Sequence, residues 1–229
     1  TGYYHSLILK ADGSLHSFGF NSYGQLGDGS TTDRNTPTEI LASGVAQIAA
    51  GGYHSLILKS DGALHTFGKN SDGQLGDGTT TQRNTPTQIL ASGVSQIAAG
   101  LEHSLILKSD GSLHTFGLNN YGQLGDGTNT NKNSPTQIIA SGVSQIAAGY
   151  YHSLILKSDG SLHTFGRNEY GQLGDGSTTN RNTPTQILAS GVSQIAAGTN
   201  HALILKADGS LHTFGRNHGG QLGDGSTNQ

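Results

Sequence analysis

Five histidines, His5, His54, His103, His152 and His201, stand 49 residues apart along this chain. The same words surround each of them: His-Ser-Leu-Ile-Leu-Lys at 5–10, 54–59, 103–108 and 152–157, and His-Ala-Leu-Ile-Leu-Lys at 201–206. Gly-Gln-Leu-Gly-Asp-Gly recurs at 24–29, 73–78, 122–127, 171–176 and 220–225. A period of this length means that each unit buries its apolar face against the next unit rather than in a distant shared core. The chain therefore reads as one continuous array over residues 1–229. Its repeats span approximately 1–49, 50–98, 99–147, 148–196 and an incomplete 197–229.

Each repeat carries four short strand patterns. In the second, residues 43–50 supply strand one, His54–Lys59 strand two, Leu64–Phe67 strand three and Thr85–Leu90 strand four. The unbroken Leu-Ile-Leu of strand two suits a strand covered on both faces. Asp61-Gly62 signals a tight hairpin. Pro86 places strand four at an edge, because proline cannot donate to a central ladder. Four antiparallel strands in about 45–50 residues make one blade of an all-β propeller. The 36 glycines are punctuation for turns and not a mark of disorder, since apolar runs recur on schedule.

Two stretches carry a family likeness. Ile48-Ala49-Ala50-Gly51-Gly52-Tyr53-His54-Ser55-Leu56-Ile57-Leu58 and Phe67-Gly68-x-Asn70-x-x-Gly73-Gln74-Leu75-Gly76 resemble the two signatures of the regulator of chromosome condensation (RCC1) propeller family. Both recur throughout the chain. The resemblance implies a propeller of usually seven blades, with the Ala-Ala-Gly strand innermost and the proline strand outermost. It also implies roles spanning nucleotide exchange on a small GTPase, protein inhibition and scaffolding. The chain holds four full-length periods plus a truncated fifth. Its first unit lacks the inner strand and its last the outer one, and the four prolines, Pro37, Pro86, Pro135 and Pro184, record the same gap. Exposed ladder edges invite pairing, so self-association through the incomplete terminal blades is expected unless the chain is a segment of a larger ring.

Charge and composition exclude several classes. The net charge of −3 comes without a basic stripe, which argues against DNA or RNA as partner. No apolar run is long enough to span a bilayer. Cysteine is absent, so neither disulfides nor thiolate metal sites exist. The absence of Met and Cys from near-identical repeats points to recent duplication in a bacterium, with an extracellular or cell-surface destination as the preferred compartment.

Function is sought where the repeats disagree. The pair before each histidine reads Tyr3-Tyr4, Gly52-Tyr53, Leu101-Glu102, Tyr150-Tyr151 and Thr199-Asn200. The slot after each Phe-Gly offers Phe20, Ser22 and Tyr23; Lys69 and Asp72; Leu118, Asn120 and Tyr121; Arg167, Glu169 and Tyr170; and Arg216 and His218. Alternate connections of a meander emerge on one side, so both slots are expected to share a face, opposite the constant Asp-Gly turns. Tyr and Arg are favoured interface anchors. These residues are the candidate surface for another protein.

Catalysis finds little support. The histidines fall in two repeated columns, the second being His16, His65, His114, His163 and His212, and each column reads as serving backbone groups within its own blade. The Gly-Gln-Leu-Gly-Asp-Gly loop lacks the Lys-Ser/Thr of a phosphate loop. Asp28, Asp77, Asp126, Asp175 and Asp224 are uniform, whereas catalysis needs one asymmetric constellation. No enzyme activity, cofactor or metal is expected. The leading reading is a protein-recognition or scaffold module, inhibitor-like in character. The alternatives are a glycan-binding propeller, disfavoured by unequal aromatic positions, and an exchange factor, disfavoured by the lack of an insertion in any repeat.

Overall fold

A computed structural model describes residues 2–228 and contains eighteen strands in five antiparallel sheets. The first sheet holds β1 (His5–Leu9), β2 (Leu15–Gly19) and β3 (Arg34–Leu41). The second holds β4 (Val45–Ala50), β5 (His54–Lys59), β6 (Leu64–Gly68) and β7 (Arg83–Leu90). The third runs from β8 (Val94–Ala99) through β9 (His103–Lys108) and β10 (Leu113–Gly117) to β11 (Lys132–Ile139). The fourth is β12 (Val143–Ala148), β13 (His152–Lys157), β14 (Leu162–Gly166) and β15 (Arg181–Leu188). The fifth holds β16 (Val192–Ala197), β17 (His201–Lys206) and β18 (Leu211–Gly215). Among the described residues the first sheet lacks an inner strand and the last an outer one. Repeat windows opened at residue 50 therefore cut each blade at the end of its inner strand.

The inner strands β4, β8, β12 and β16 touch in succession and mark the axis, while the proline strands lie at the outer edges. Between consecutive sheets the same residues meet. Leu105, Leu107 and Leu113 of the third sheet pack on Val143, Ile155 and Phe165 of the fourth, all at most 5% exposed. Equivalent clusters join the other neighbours. Each central β5-type strand is covered on both sides, as the Leu-Ile-Leu run requires.

Two local features differ from the sequence reading. Lys59 N–H bonds Ala63 O and Gly62 N–H bonds Lys59 O, so the hairpin loop is three residues, Ser60-Asp61-Gly62, with Gly62 at φ +82°. Asp61 keeps negative φ and instead accepts the Ala63 N–H at 3.0 Å. This is a type I turn closed by a glycine bulge, not a two-residue turn. The outer strand begins at Arg83, two residues before Thr85, because Gly68 pairs with Arg83 beyond a bulge.

The histidine column also behaves differently. His5, His54 and His103 do not serve backbone groups of their own blade. Their Nε2 atoms lie 2.8, 3.0 and 3.1 Å from Ser55, Ser104 and Ser153 Oγ of the next blade. Each serine hydroxyl donates to the carbonyl of Gln25, Gln74 or Gln123 at 2.8–2.9 Å. The hydroxyl proton is thus committed, so each Nε2 carries the proton and donates, and the imidazole is neutral. Burial lowers these imidazoles, His5 to about 4, His54 and His103 to about 3, and His152 to about 4. The clasp fails once: Ala202 replaces the serine, and the buried His152 ring is left with no side-chain partner, facing only the backbone at His201. Ala202→Ser is expected to stabilise the fold by about 1 kcal/mol, giving His152 the hydroxyl partner that His5, His54 and His103 have. Paired urea titrations check this; a neutral or negative change would show that the missing hydroxyl has no energetic consequence.

Candidate functional site

Hairpin geometry brings the two variable slots together. Phe20 N–H bonds Tyr4 O, Lys69 bonds Tyr53 O, Leu118 bonds Glu102 O, Arg167 bonds Tyr151 O and Arg216 bonds Asn200 O, all at 2.8–2.9 Å. Each bond ties the slot after Phe-Gly to the pair before the histidine. Both slots therefore lie at one end of the sheets. At the other end, Val94 N–H bonds Gly62 O and Ser109 N–H bonds Gly93 O, joining the constant turns to one another.

The chain has eight tyrosines, Tyr3, Tyr4, Tyr23, Tyr53, Tyr121, Tyr150, Tyr151 and Tyr170, and all sit on the variable end. They form two groups. In the first, Tyr4 lies 5.9 Å from Tyr53 and 6.0 Å from Phe20, and Tyr23 lies 5.4 Å from Tyr53. Lys69 Nζ stands 6.0 and 5.8 Å from the Tyr23 and Tyr53 rings and pairs with Glu102. Burial opposes the Lys69 charge, but Glu102 outweighs it and raises the ammonium above its ordinary range.

In the second group, Arg167 stacks within 5.2–5.8 Å of Tyr121, Tyr151 and Tyr170 and pairs with Glu169. The bond from Arg167 holds the Glu169 carboxyl below its usual range. Arg216 lies 5.3 Å from Tyr170, and His218 packs edge-on against the same ring. Tyr3 and Tyr150, 5.7 Å apart, link the groups across an opening between the inner strands. That opening is a cavity of about 260 Å³ lined by Tyr3, Leu101, Tyr150 and Thr199 together with Gly51, Gly100 and Gly149.

The remaining candidates divide by exposure. Ser22, Asn120, Glu169, Thr199 and His218 are exposed, and Leu101, Glu102, Asp72 and Asn200 are half-buried. Asp72 accepts a bond from Asn131 at 3.1 Å. Leu118 is the exception. At 6% exposure it belongs to the packing and has little surface to offer a partner, because an aliphatic side chain among polar alternatives folds inward.

One column inside the variable slot never changes. Asn21, Asn70, Asn119, Asn168 and Asn217 are at most 1% exposed. Asn119 Nδ2 donates to Asp126 Oδ1, Thr128 O and Thr130 O, and its Oδ1 accepts the Leu124 N–H. The constant aspartates serve the same loops. Burial alone would raise Asp175, yet bonds from Ser177, Arg181 and Asn168 hold it near 2. Arg34, Arg83 and Arg181 each pair with such an aspartate at 2.7 Å. The Gly-Gln-Leu-Gly-Asp-Gly loops are thus built for packing; a Cβ on Gly76, at φ +72°, would meet Phe116 at 2.8 Å. Among the described residues no group of metal-ligating side chains gathers, and no helix is long and apolar enough to cross a membrane.

The same architecture occurs in known proteins. The chain aligns over its whole length with human WBSCR16 at 30% identity and a TM-score of 0.87, covering 63% of that chain. Yeast RCC1 (Prp20), in a structure bound to Kap60, is 22% identical with a TM-score of 0.86, over 99% of this chain and 57% of that one. A segment of 52 residues is 42% identical to the E3 ubiquitin-protein ligase MYCBP2 of Danio rerio, covering 22% of this chain and 1% of that protein. This chain thus spans less than two thirds of the length of these relatives. The model of the RCC1-like domain matches residues 1–229 from end to end, and the chain belongs to that family of β-propellers.

Proposed function

We propose that the variable end of the propeller is a protein-recognition surface and that the chain acts as a non-catalytic binding or scaffold module. The observation that carries this reading is the gathering of the diversified slots, and of all eight tyrosines, at one end of the sheets. Free drift of surface loops would also have altered the turns at the opposite end, which scarcely change. The ring contacts and cation–π stacks fix side-chain positions before binding, which lowers the entropy lost on association. Tyr3, Tyr4 and Tyr23 still present 51%, 54% and 37% of their surface to solvent. Protein binding is also what two related structures describe: yeast Prp20 is bound to Kap60 in one, and its binding properties toward Gsp1p and histones are the subject of another.

The test begins with a partner identified by cross-linking in the source cells and purified. The combined change Tyr4→Ala, Tyr23→Ala, Tyr151→Ala and Tyr170→Ala is expected to weaken its affinity more than about 100-fold, since each anchor contributes about 1–2 kcal/mol. Circular dichroism and the thermal midpoint should stay close to those of the parent. Ser92→Lys with Ser141→Lys, exposed at the constant end, should leave affinity unchanged. A partner that tolerates the tyrosine changes but is lost with the serine changes would overturn the reading.

A further inference from the structure

The fourth and fifth repeats place an arginine at the same point of the variable slot and treat its charge differently. Arg167 follows Phe165-Gly166, and Arg216 follows Phe214-Gly215. Their backbone N–H groups bond Tyr151 O and Asn200 O, both at 2.8 Å. Each guanidinium leans back on the tyrosine of the preceding repeat, Arg167 at 5.2 Å from Tyr121 and Arg216 at 5.3 Å from Tyr170. Both Nε atoms are buried without a hydrogen-bond partner.

The difference lies two residues on. The fourth repeat has Glu169 there, which pairs with Arg167 at 2.5 Å. The fifth has His218, whose ring meets Tyr170 edge-on. Among the described residues no carboxylate pairs with Arg216. The substitution at position 218 sets this deficit, since the matching carboxylate of the fourth repeat comes from within its own slot. A half-buried guanidinium without a counter-charge is costly, because burial strips water that no anion replaces. Arg167 also reaches Tyr170, at 5.7 Å, so two positive charges share one ring beside a single carboxylate. Around Lys69 the balance is reversed, with Glu102 and Asp72 both close to one ammonium.

We propose that Arg216, with Arg167 beside it, seats an acidic segment of the protein partner, whose Asp or Glu carboxylate supplies the counter-ion that Glu169 supplies to Arg167. This rests on the variable end being a recognition surface and adds the chemistry of what it recognises. A guanidinium offers two parallel N–H donors to one carboxylate. Stacking on Tyr170 holds the donors in place before contact. The patch is two arginines wide and no basic stripe continues it, so a short acidic stretch suits it better than a phosphate backbone.

The probe is a fluorescein-labelled peptide of about eight glutamates, titrated with the whole chain at low salt and followed by anisotropy. The parent should bind it, and about 0.5 M sodium chloride should release it. Arg216→Gln should weaken binding about 10-fold or more. His218→Glu should weaken it as much, by giving Arg216 an internal carboxylate. Glu169→Gln should strengthen it about 3-fold, by releasing Arg167. Positions 169 and 218 are exposed, and thermal midpoints close to the parent's would confirm intact folds. The proposal is overturned if the peptide does not bind, if Arg216→Gln or His218→Glu leaves its affinity unchanged, or if Glu169→Gln weakens it. Tighter binding of a thymidine oligonucleotide of equal charge would overturn it as well. With the purified partner, a loss of affinity in the tyrosine variant but not in Arg216→Gln would keep the recognition surface and remove the acidic segment.

Discussion

Lowering the pH from 7 to 5 is expected to remove about 8 kcal/mol of folding stability, about 2 kcal/mol for each of four buried imidazoles. His5, His54, His103 and His152 are buried, and their folded pKa values fall to about 4, 3, 3 and 4. Burial is the main cause in each, and neighbouring imidazoles add to it for His54, His103 and His152. In the unfolded chain the same groups protonate near 6.5. Between 6.5 and the folded values the unfolded state binds more protons, so stability is complete above about 6.5 and declines as pH falls through that window. A loss of this size matches the whole stability of an ordinary domain, and cooperative unfolding should occur between about pH 6 and 4. The aspartates whose pKa values are lowered, Asp126 and Asp175 among them, lose their contribution only at lower pH, which leaves the upper part of the window to histidine. Urea midpoints measured at steps across this range provide the check. His103→Gln keeps an N–H donor without a titrating ring and should flatten the pH slope by one proton. A flat profile from pH 7 to 5 would contradict the neutral, buried state of the column.

A pair of adjacent asparagines supplies the second large contrast. Asn119→Ala is expected to cost about 4–6 kcal/mol, because it leaves the Leu124 N–H and the Thr128 and Thr130 carbonyls without their bonds inside the loop. Asn120→Ala, one residue along and exposed, should change stability by less than about 0.5 kcal/mol. Equilibrium denaturation of the two variants separates the roles. Comparable losses at both positions would mean that the buried asparagine is not the hub of its loop.

Much of this molecule could be read from its sequence because the physics repeats. Apolar periodicity gave β5 to the residue, and the proline placed β7 at an edge. The start of β7 escaped because Arg83 and Asn84 are polar and join the ladder only across a bulge, a feature that leaves no apolar trace. The loop at Asp61-Gly62 showed its glycine but not its length, since a type I turn with a bulge uses the same dipeptide as a tighter turn. The partner of His54 was hidden for another reason. Ser104 lies 50 residues away, and only the stacking of blades brings the two together. For the candidate surface, the side on which the variable slots emerge followed from strand order alone. The inward turn of Leu118 and the stacking of Arg167 among three tyrosines did not, since both depend on packing between neighbouring blades.

The clasp from one blade's histidine to the next blade's serine has a consequence for how such arrays change over generations. Donor and acceptor are both encoded within one 49-residue unit, as are the leucine and phenylalanine halves of each apolar joint. Excising a unit, or copying one in, brings together two neighbours that already match, so gene rearrangement can alter the length of the array without inventing a new contact. The tyrosines and arginines at the variable end travel with their units. Reordering units therefore reshuffles the exposed pattern while the scaffold beneath it stays constant.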